Sequence, residues 1–102
     1  LRAKLEEHTG CVNSVRWNIN GTYLASGSDD CQVCVWRPWM TRRSTLPPRS
    51  CLVASIDTGH SRNILGLEWV PETGDSQVIT CGLDGDLRRS YLDGGCSSQL
   101  LA

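Results

Sequence analysis

The chain has 102 residues, ten Lys and Arg against eleven Asp and Glu, and a formal net charge of −1. That balance gives no bulk field for nucleic acid or a membrane surface. No apolar run approaches the roughly 18 residues of a membrane span, and the N-terminal stretch lacks a signal-peptide pattern.

From His8 the chain reads as three short strands joined by two tight turns. Val12, Val15 and Trp17 form the apolar face of the first strand. Asn18-Ile19-Asn20-Gly21 then breaks it, because Asn and Gly tolerate the positive φ of a hairpin turn. Tyr23 to Gly27 makes the second strand and Ser28-Asp29-Asp30 the second turn. Gln32 to Trp36 makes the third strand, with Val33 and Val35 alternating on one face. A second meander runs from His60 to Leu92. Ile64, Leu67 and Trp69 repeat Val12, Val15 and Trp17 at an offset of 52, and a longer turn over Pro71–Ser76 shifts the offset to 54. Thr80 then answers Ser26, Asp84 answers Asp30, and Ser90 falls where Trp36 stood.

Six cysteines would suit a secreted disulfide scaffold, but their placement argues otherwise. Cys11, Cys34 and Cys81 lie in strand patterns, where a free Cys acts as a small hydrophobe. Cys31 and Cys34 are the one close pair, with no second pair or nearby His to complete a zinc site. A turn residue and a strand residue should also point apart. The expectation is a reduced protein of the cytoplasm or nucleus, with no metal and no cofactor. Asp84-Gly85-Asp86 supplies two carboxylates in a turn, far short of a calcium loop.

Repetition at this period, with L-A-S-G-S-D-D-x-x-V-x-V-W at its heart, resembles the WD-repeat family. The resemblance implies an all-β propeller fragment, one complete four-stranded blade and most of a second, because two repeats cannot close a ring of roughly 4–8 blades. It divides the chain into an outer strand of a preceding blade with its loop (1–10, the strand over Leu1–Leu5), a first blade (11–57) and a degenerate second blade (58–102). The first blade would use Cys11–Asn18, Tyr23–Ser28, Gln32–Arg37 and an outer strand Cys51–Asp57. The second would use Asn63–Val70, Gln77–Gly82 and Asp86–Leu92, leaving its outer strand to 97–102 after a Gly94-Gly95 turn.

The same resemblance implies that His8, Ser26, Asp30 and Trp36 form a buried hydrogen-bonded tetrad, with the indole N–H as one donor. His60, Thr80 and Asp84 would form an incomplete copy in a softer blade. His8, Ser26 and Asp30 are also the residue types of a hydrolase triad, yet Ser26 sits mid-strand, where a nucleophile would lack an exposed oxygen.

An irregular insertion, 38–49, separates Arg37 from the outer strand and holds Pro38, Pro47 and Pro48. Arg37, Trp39, Arg42, Arg43 and Arg49 make it a basic, aromatic-bearing arm, fit for an acidic or phosphorylated partner or for a solvated loop. Arg62, with Thr9 and Ser61 in the rim turns, is the other outward candidate.

H-T-G-C-V-N-S-V-R-W-N and T-G-H-S-R-N-I-L-G-L-E-W-V-P are similar to the WD-repeat substrate receptors of cullin-4 ubiquitin ligases. That resemblance implies a non-enzymatic protein-interaction scaffold that docks on a ligase adaptor and presents a substrate protein, without a small-molecule substrate. The adaptor-docking signature of that group, Trp-Asp-x-Arg, is absent from both copies: Trp36-Arg37-Pro38-Trp39 and Ser90-Tyr91-Leu92-Asp93 stand there instead. A scaffold of another complex, in RNA processing or chromatin, is the alternative within the binding class. A Ser/His/Asp hydrolase is the alternative outside it.

Overall fold

The structure is a computed structural model that describes residues 7–37, 51–92 and 98–102. The expected Leu1–Leu5 strand, the insertion 38–49 and the Gly94-Gly95 turn lie outside the described residues. Eight strands form: β1 (Val12–Trp17), β2 (Leu24–Ser28), β3 (Gln32–Trp36), β4 (Leu52–Asp57), β5 (Ile64–Trp69), β6 (Gln77–Gly82), β7 (Leu87–Tyr91) and β8 (Ser98–Leu100). They make two antiparallel four-stranded sheets, β1-β2-β3-β4 and β5-β6-β7-β8. The short β8 pairs Ser98 with Ser90 and Leu100 with Arg88. The second sheet therefore draws its outer strand from 97–102, the stretch the sequence left for it, and that short strand makes the sheet four-stranded.

The turns follow from residues that accept left-handed backbone. In the first hairpin Gly21 has φ 69° and Asn18 caps the turn, its Oδ1 accepting the N–H groups of Thr22 and Tyr23 at 2.8 and 2.9 Å. In the second hairpin the left-handed position is Cys31 (φ 66°), where the second sheet uses Gly85 (φ 81°). A cysteine there gives up the freedom of a glycine. Its Sγ instead reaches the carbonyl of Arg62, 3.2 Å away, across the sheet junction.

The larger core cluster lies between the sheets, and a smaller one of Cys34, Trp36 and Cys51 lies on the other face of the first sheet. Register places Val15 opposite Ser26 and Trp17 opposite Leu24 on one face of the first sheet, with Arg16 opposite Ala25 on the other. Ala25, Val33 and Val35 on that second face pack against Ile64, Leu67 and Val78 of the second sheet. The approach is close enough to require Gly27, since a Cβ there would stand 2.8 Å from Ile64 Cγ2. Polar bonds also cross the junction. Trp69 Nε1 donates to the Arg16 carbonyl (3.0 Å) and Asn13 Nδ2 to the Ile64 carbonyl (2.9 Å). Asn18, only 3% exposed, donates to Asp75 at 3.0 Å.

The repeated apolar triplets meet different fates. Ile64 and Leu67 are buried by the first sheet, whereas Val12, Val15 and Trp17 are 49%, 55% and 42% exposed. Two cysteines also depart from expectation. Cys34 is buried, but among the described residues Cys11 and Cys81 are exposed. Cys11 precedes β1, and Cys81 lies on the face of the second sheet turned away from the first.

Gly27→Ala should cost on the order of 1–3 kcal/mol through overpacking. Ile64→Ala should by itself cost ~2–5 kcal/mol through the cavity it leaves. Combined, the two should cost clearly less than their sum, because the methyl lost at 64 admits the one gained at 27. Denaturant midpoints of the three variants, in the polypeptide that carries this chain, check the coupling; strict additivity would show that the sheets do not meet there.

Candidate functional site

The structure brings His8, Ser26, Asp30 and Trp36 together. His8 leaves the loop before β1, Ser26 projects from the centre of β2, Asp30 from the β2–β3 turn and Trp36 from the end of β3. His8 Nδ1 lies 3.0 Å from Asp30 Oδ2 and its Nε2 2.7 Å from Ser26 Oγ, which also accepts the Trp36 indole N–H at 3.0 Å. The bonds assign the tautomer. A carboxylate can only accept, so Nδ1 carries the proton, and Nε2 is left to accept from the serine hydroxyl. Each polar group along the chain from Trp36 to Ser26 to His8 to Asp30 is thus paired in the order its chemistry allows.

Asp30 anchors the far end. Burial would raise its carboxyl pKa, but the backbone N–H groups of Gln32 and Thr9 and the His8 ring outweigh that and lower it. These bonds are 2.9 Å from Gln32 and 3.0 Å from Thr9. One carboxylate therefore fixes both the turn that holds it and the loop entering β1.

The second sheet repeats the arrangement without its aromatic end. His60 Nδ1 lies 3.1 Å from both Asp84 oxygens and its Nε2 2.9 Å from Thr80 Oγ1. The Asp84 pKa is lowered to about 2, first by the Asp86 N–H, with Ser61 N–H and His60 adding to it against the cost of burial. Ser90, in the place of Trp36, is wholly buried but faces Ser98 Oγ at 3.4 Å instead of Thr80.

The Ser–His–Asp connectivity is that of a nucleophilic relay, but Ser26 is only 5% exposed and its oxygen is capped by the Trp36 indole. Beside this network is a polar recess of about 210 Å³, lined by Glu7, Thr9, Asp30, Gln32, Cys34 and Ser55. The Cys34 thiol that lines it is pushed up to about 11 by burial, far from the thiolate a nucleophile needs. Burial likewise raises Cys31, with Asp57, Asp30 and Asp84 adding to the effect, and burial raises Cys51. Among the described residues no group of three or more His, Cys, Asp and Glu side chains is placed to hold a metal ion.

Of the outward candidates, Thr9, Ser61 and Arg62 are exposed in the rim turns, and Arg37 is exposed with its guanidinium 5.6 Å from the centroid of the Tyr23 ring. Trp39, Arg42, Arg43 and Arg49 lie outside the described residues. The sequence reading missed the polar bonds of the sheet junction. Asn13 and Asn18 read as an ordinary strand residue and a turn residue, and Trp69 as an apolar repeat position. The one available signal was the recurrence of Trp at 17 and 69, a side chain that needs a partner for its N–H when it is buried.

His8→Ala should cost on the order of 1–3 kcal/mol, because it strands both Asp30 and Ser26. Ser90→Ala, whose hydroxyl stands outside the corresponding relay, should cost less than about 1 kcal/mol. Denaturant midpoints of the two variants check this, and the reverse order would remove the relay from its supporting role.

Asp84 titrates in the folded chain at about 2, against a reference of 3.8. A carboxyl depressed by folding contributes stability that is complete above its unfolded pKa and is lost as pH falls through its folded one. The contribution of Asp84 should therefore disappear between about pH 4 and pH 2, and Asp84→Asn should flatten that part of the stability profile. Thermal melts over this range test it; an unchanged slope in the variant would assign the acid loss elsewhere.

The sequence pattern described as WD domain, G-beta repeat, matches residues 1–37. Protein ALTERED SEED GERMINATION 2 of Arabidopsis thaliana is 42% identical over 85 residues, covering 83% of this chain and 10% of that protein. WD and tetratricopeptide repeats protein 1 of Homo sapiens is 39% identical over 84 residues, 82% of this chain and 11% of that protein. DDB1- and CUL4-associated factor 6 of Homo sapiens is 35% identical over 85 residues, 83% of this chain and 9% of that protein. The chain thus spans about a tenth of the length of these relatives. Among solved structures, the C-terminal WD40 domain of Sif2 superposes with a TM-score of 0.71 at 28% identity, over 98% of this chain and 24% of that one. The two sheets are blades of a propeller, and the chain belongs to the WD-repeat family.

Proposed function

We propose that this chain is part of a propeller that recruits substrate proteins to a cullin-4 type ubiquitin ligase in the cytoplasm or nucleus. A WD-repeat scaffold for protein interaction is the coarser function, and its physical basis is that the polar residues are committed inward. His8, Ser26, Asp30, His60, Thr80 and Asp84 are consumed by holding the strands, which leaves rims and loops to meet a partner. The observation that carries the ligase reading is the similarity to a protein named as a factor associated with DDB1 and CUL4. The similarity to WD and tetratricopeptide repeats protein 1, at 39% identity against 35%, favours a second reading, a scaffold of another assembly. A hydrolytic role finds no support, because the Ser26 oxygen is enclosed.

Affinity capture from cell extract with the full polypeptide tests the proposal: DDB1 and CUL4 should be recovered, and their absence would leave the scaffold of another assembly. Within the same experiment, replacing Trp39, Arg42 and Arg43 by Ala should leave folding and adaptor capture unchanged but lose an acidic or phosphorylated partner. An unaltered set of captured proteins would reduce that arm to a solvated loop. Ser26 should also stay unlabelled by a fluorophosphonate probe, and labelling there would reopen the hydrolase reading.

A further inference from the structure

Asparagine stands at 13, 18, 20 and 63, and the turn between β1 and β2 sets Asn20 apart from the others. Asn13 spends its amide on Asp29 Oδ1 (2.6 Å) and the Ile64 carbonyl (2.9 Å). Asn18 is buried, with its amide bonded to Thr22 and Asp75. Asn18 and Asn63 are each followed by isoleucine, whose branched side chain crowds the next backbone nitrogen. Asn20 is exposed and is followed by Gly21, and its side chain makes no hydrogen bond among the described residues. A Cβ at 21 would meet nothing within 4 Å, so the space about this glycine is open.

That setting suits an internal displacement. The Gly21 nitrogen, its proton lost to hydroxide, attacks Asn20 Cγ. The new C–N bond closes a succinimide, the bond from Cγ to Nδ2 breaks, and ammonia leaves. Water then opens either imide carbonyl, which gives aspartate or isoaspartate and returns a proton to the Gly21 nitrogen. One bond restrains the attack: the Gly21 N–H donates to the Asn18 carbonyl at 3.0 Å. A hairpin tip with its neighbours in solvent, Ile19 at 95% exposure among them, opens far more readily than the strands behind it.

The product reaches further than the tip. Both acids add a charge at position 20, and isoaspartate also routes the backbone through an extra carbon between the Asn18 carbonyl and the Gly21 N–H. Asn18 depends on that geometry, because its Oδ1 accepts the N–H groups of Thr22 and Tyr23 while its Nδ2 holds Asp75 of the second sheet's turn at 3.0 Å. We propose that Asn20 is a site of spontaneous deamidation in the folded protein, and that its isoaspartate form releases the Asn18 link between the two sheets.

The full polypeptide, held at mildly alkaline pH, is mapped over time by chromatography and mass spectrometry, which separate aspartate from isoaspartate peptides. Asn20 should convert roughly tenfold or more faster than Asn13, Asn18 or Asn63 in the same sample, with both products appearing. Asn20 still intact when guanidinium-unfolded protein has converted it fully would overturn the site, because the turn would then be a shield. Hydrogen exchange tests the consequence. The Thr22 and Tyr23 amides should exchange severalfold faster as isoaspartate accumulates. Asn20→Ser, aged alongside, should keep their slow exchange. Freshly prepared Asn20→Asp, which adds the charge without the extra carbon, should stay close to it. Unchanged exchange in the isoaspartate form, or the same rise in Asn20→Asp, would overturn the release of Asn18.

Discussion

A carboxylate that must be satisfied inside a turn governs each sheet. Asp30 accepts from the backbone of Gln32, the backbone of Thr9 and the ring of His8. These donors come from the turn that holds it, from the loop entering the sheet and from the side chain that reaches Ser26. Withdrawing the carboxylate would release all of them together, and a buried donor left without its acceptor costs more than the bond itself was worth. Asp84 takes the same position in the second sheet, accepting from Asp86, Ser61 and His60. The strands supply the hydrophobic face, but the carboxylates fix how loop, turn and central strand meet.

The relay also explains why a Ser, a His and an Asp can be hydrogen-bonded in catalytic order without a catalytic site. A nucleophile needs its oxygen exposed beside a cavity for substrate, whereas Ser26 Oγ is divided between His8 and the Trp36 indole. Placing the same three residue types in mid-strand, in a turn and before an edge strand turns them into a clamp. Their chemistry is spent on position, while the rim turns at Thr9 and Arg62 stay exposed.

Much of the fold was legible because period and turn chemistry agree. Alternation in Gln32–Trp36, Asn and Gly after Trp17, and the 52-to-54 offset between the copies place strands and turns with little ambiguity. The hydrogen-bonded positions of His8, Ser26, Asp30 and Trp36 were legible only through the resemblance, since spacing alone cannot say which face of a strand is turned inward. Less was legible in the sheet junction. Asn13, Asn18 and Trp69 bond across distances of 51, 57 and 53 residues, and no local pattern announces such partners. The sequence also presents Val12 and Ile64 as equals, although one is exposed and the other wholly buried. Burial at those positions depends on what lies against the sheet, a fact held by another stretch of chain.

Where the period holds, the residues serve the fold; where it fails, they are free to be particular. Trp36 gives way to Ser90, which shortens the relay and turns its hydroxyl to Ser98 of β8. Gly85 gives way to Cys31 in the first sheet, which turns a strained backbone position into a contact with Arg62 across the junction. Val35 gives way to Arg89, which puts a guanidinium where the first sheet buries a valine in its apolar cluster. None of these substitutions improves an isolated blade. Each changes what can lie beside it, so the departures from repetition mark which neighbours the chain accepts.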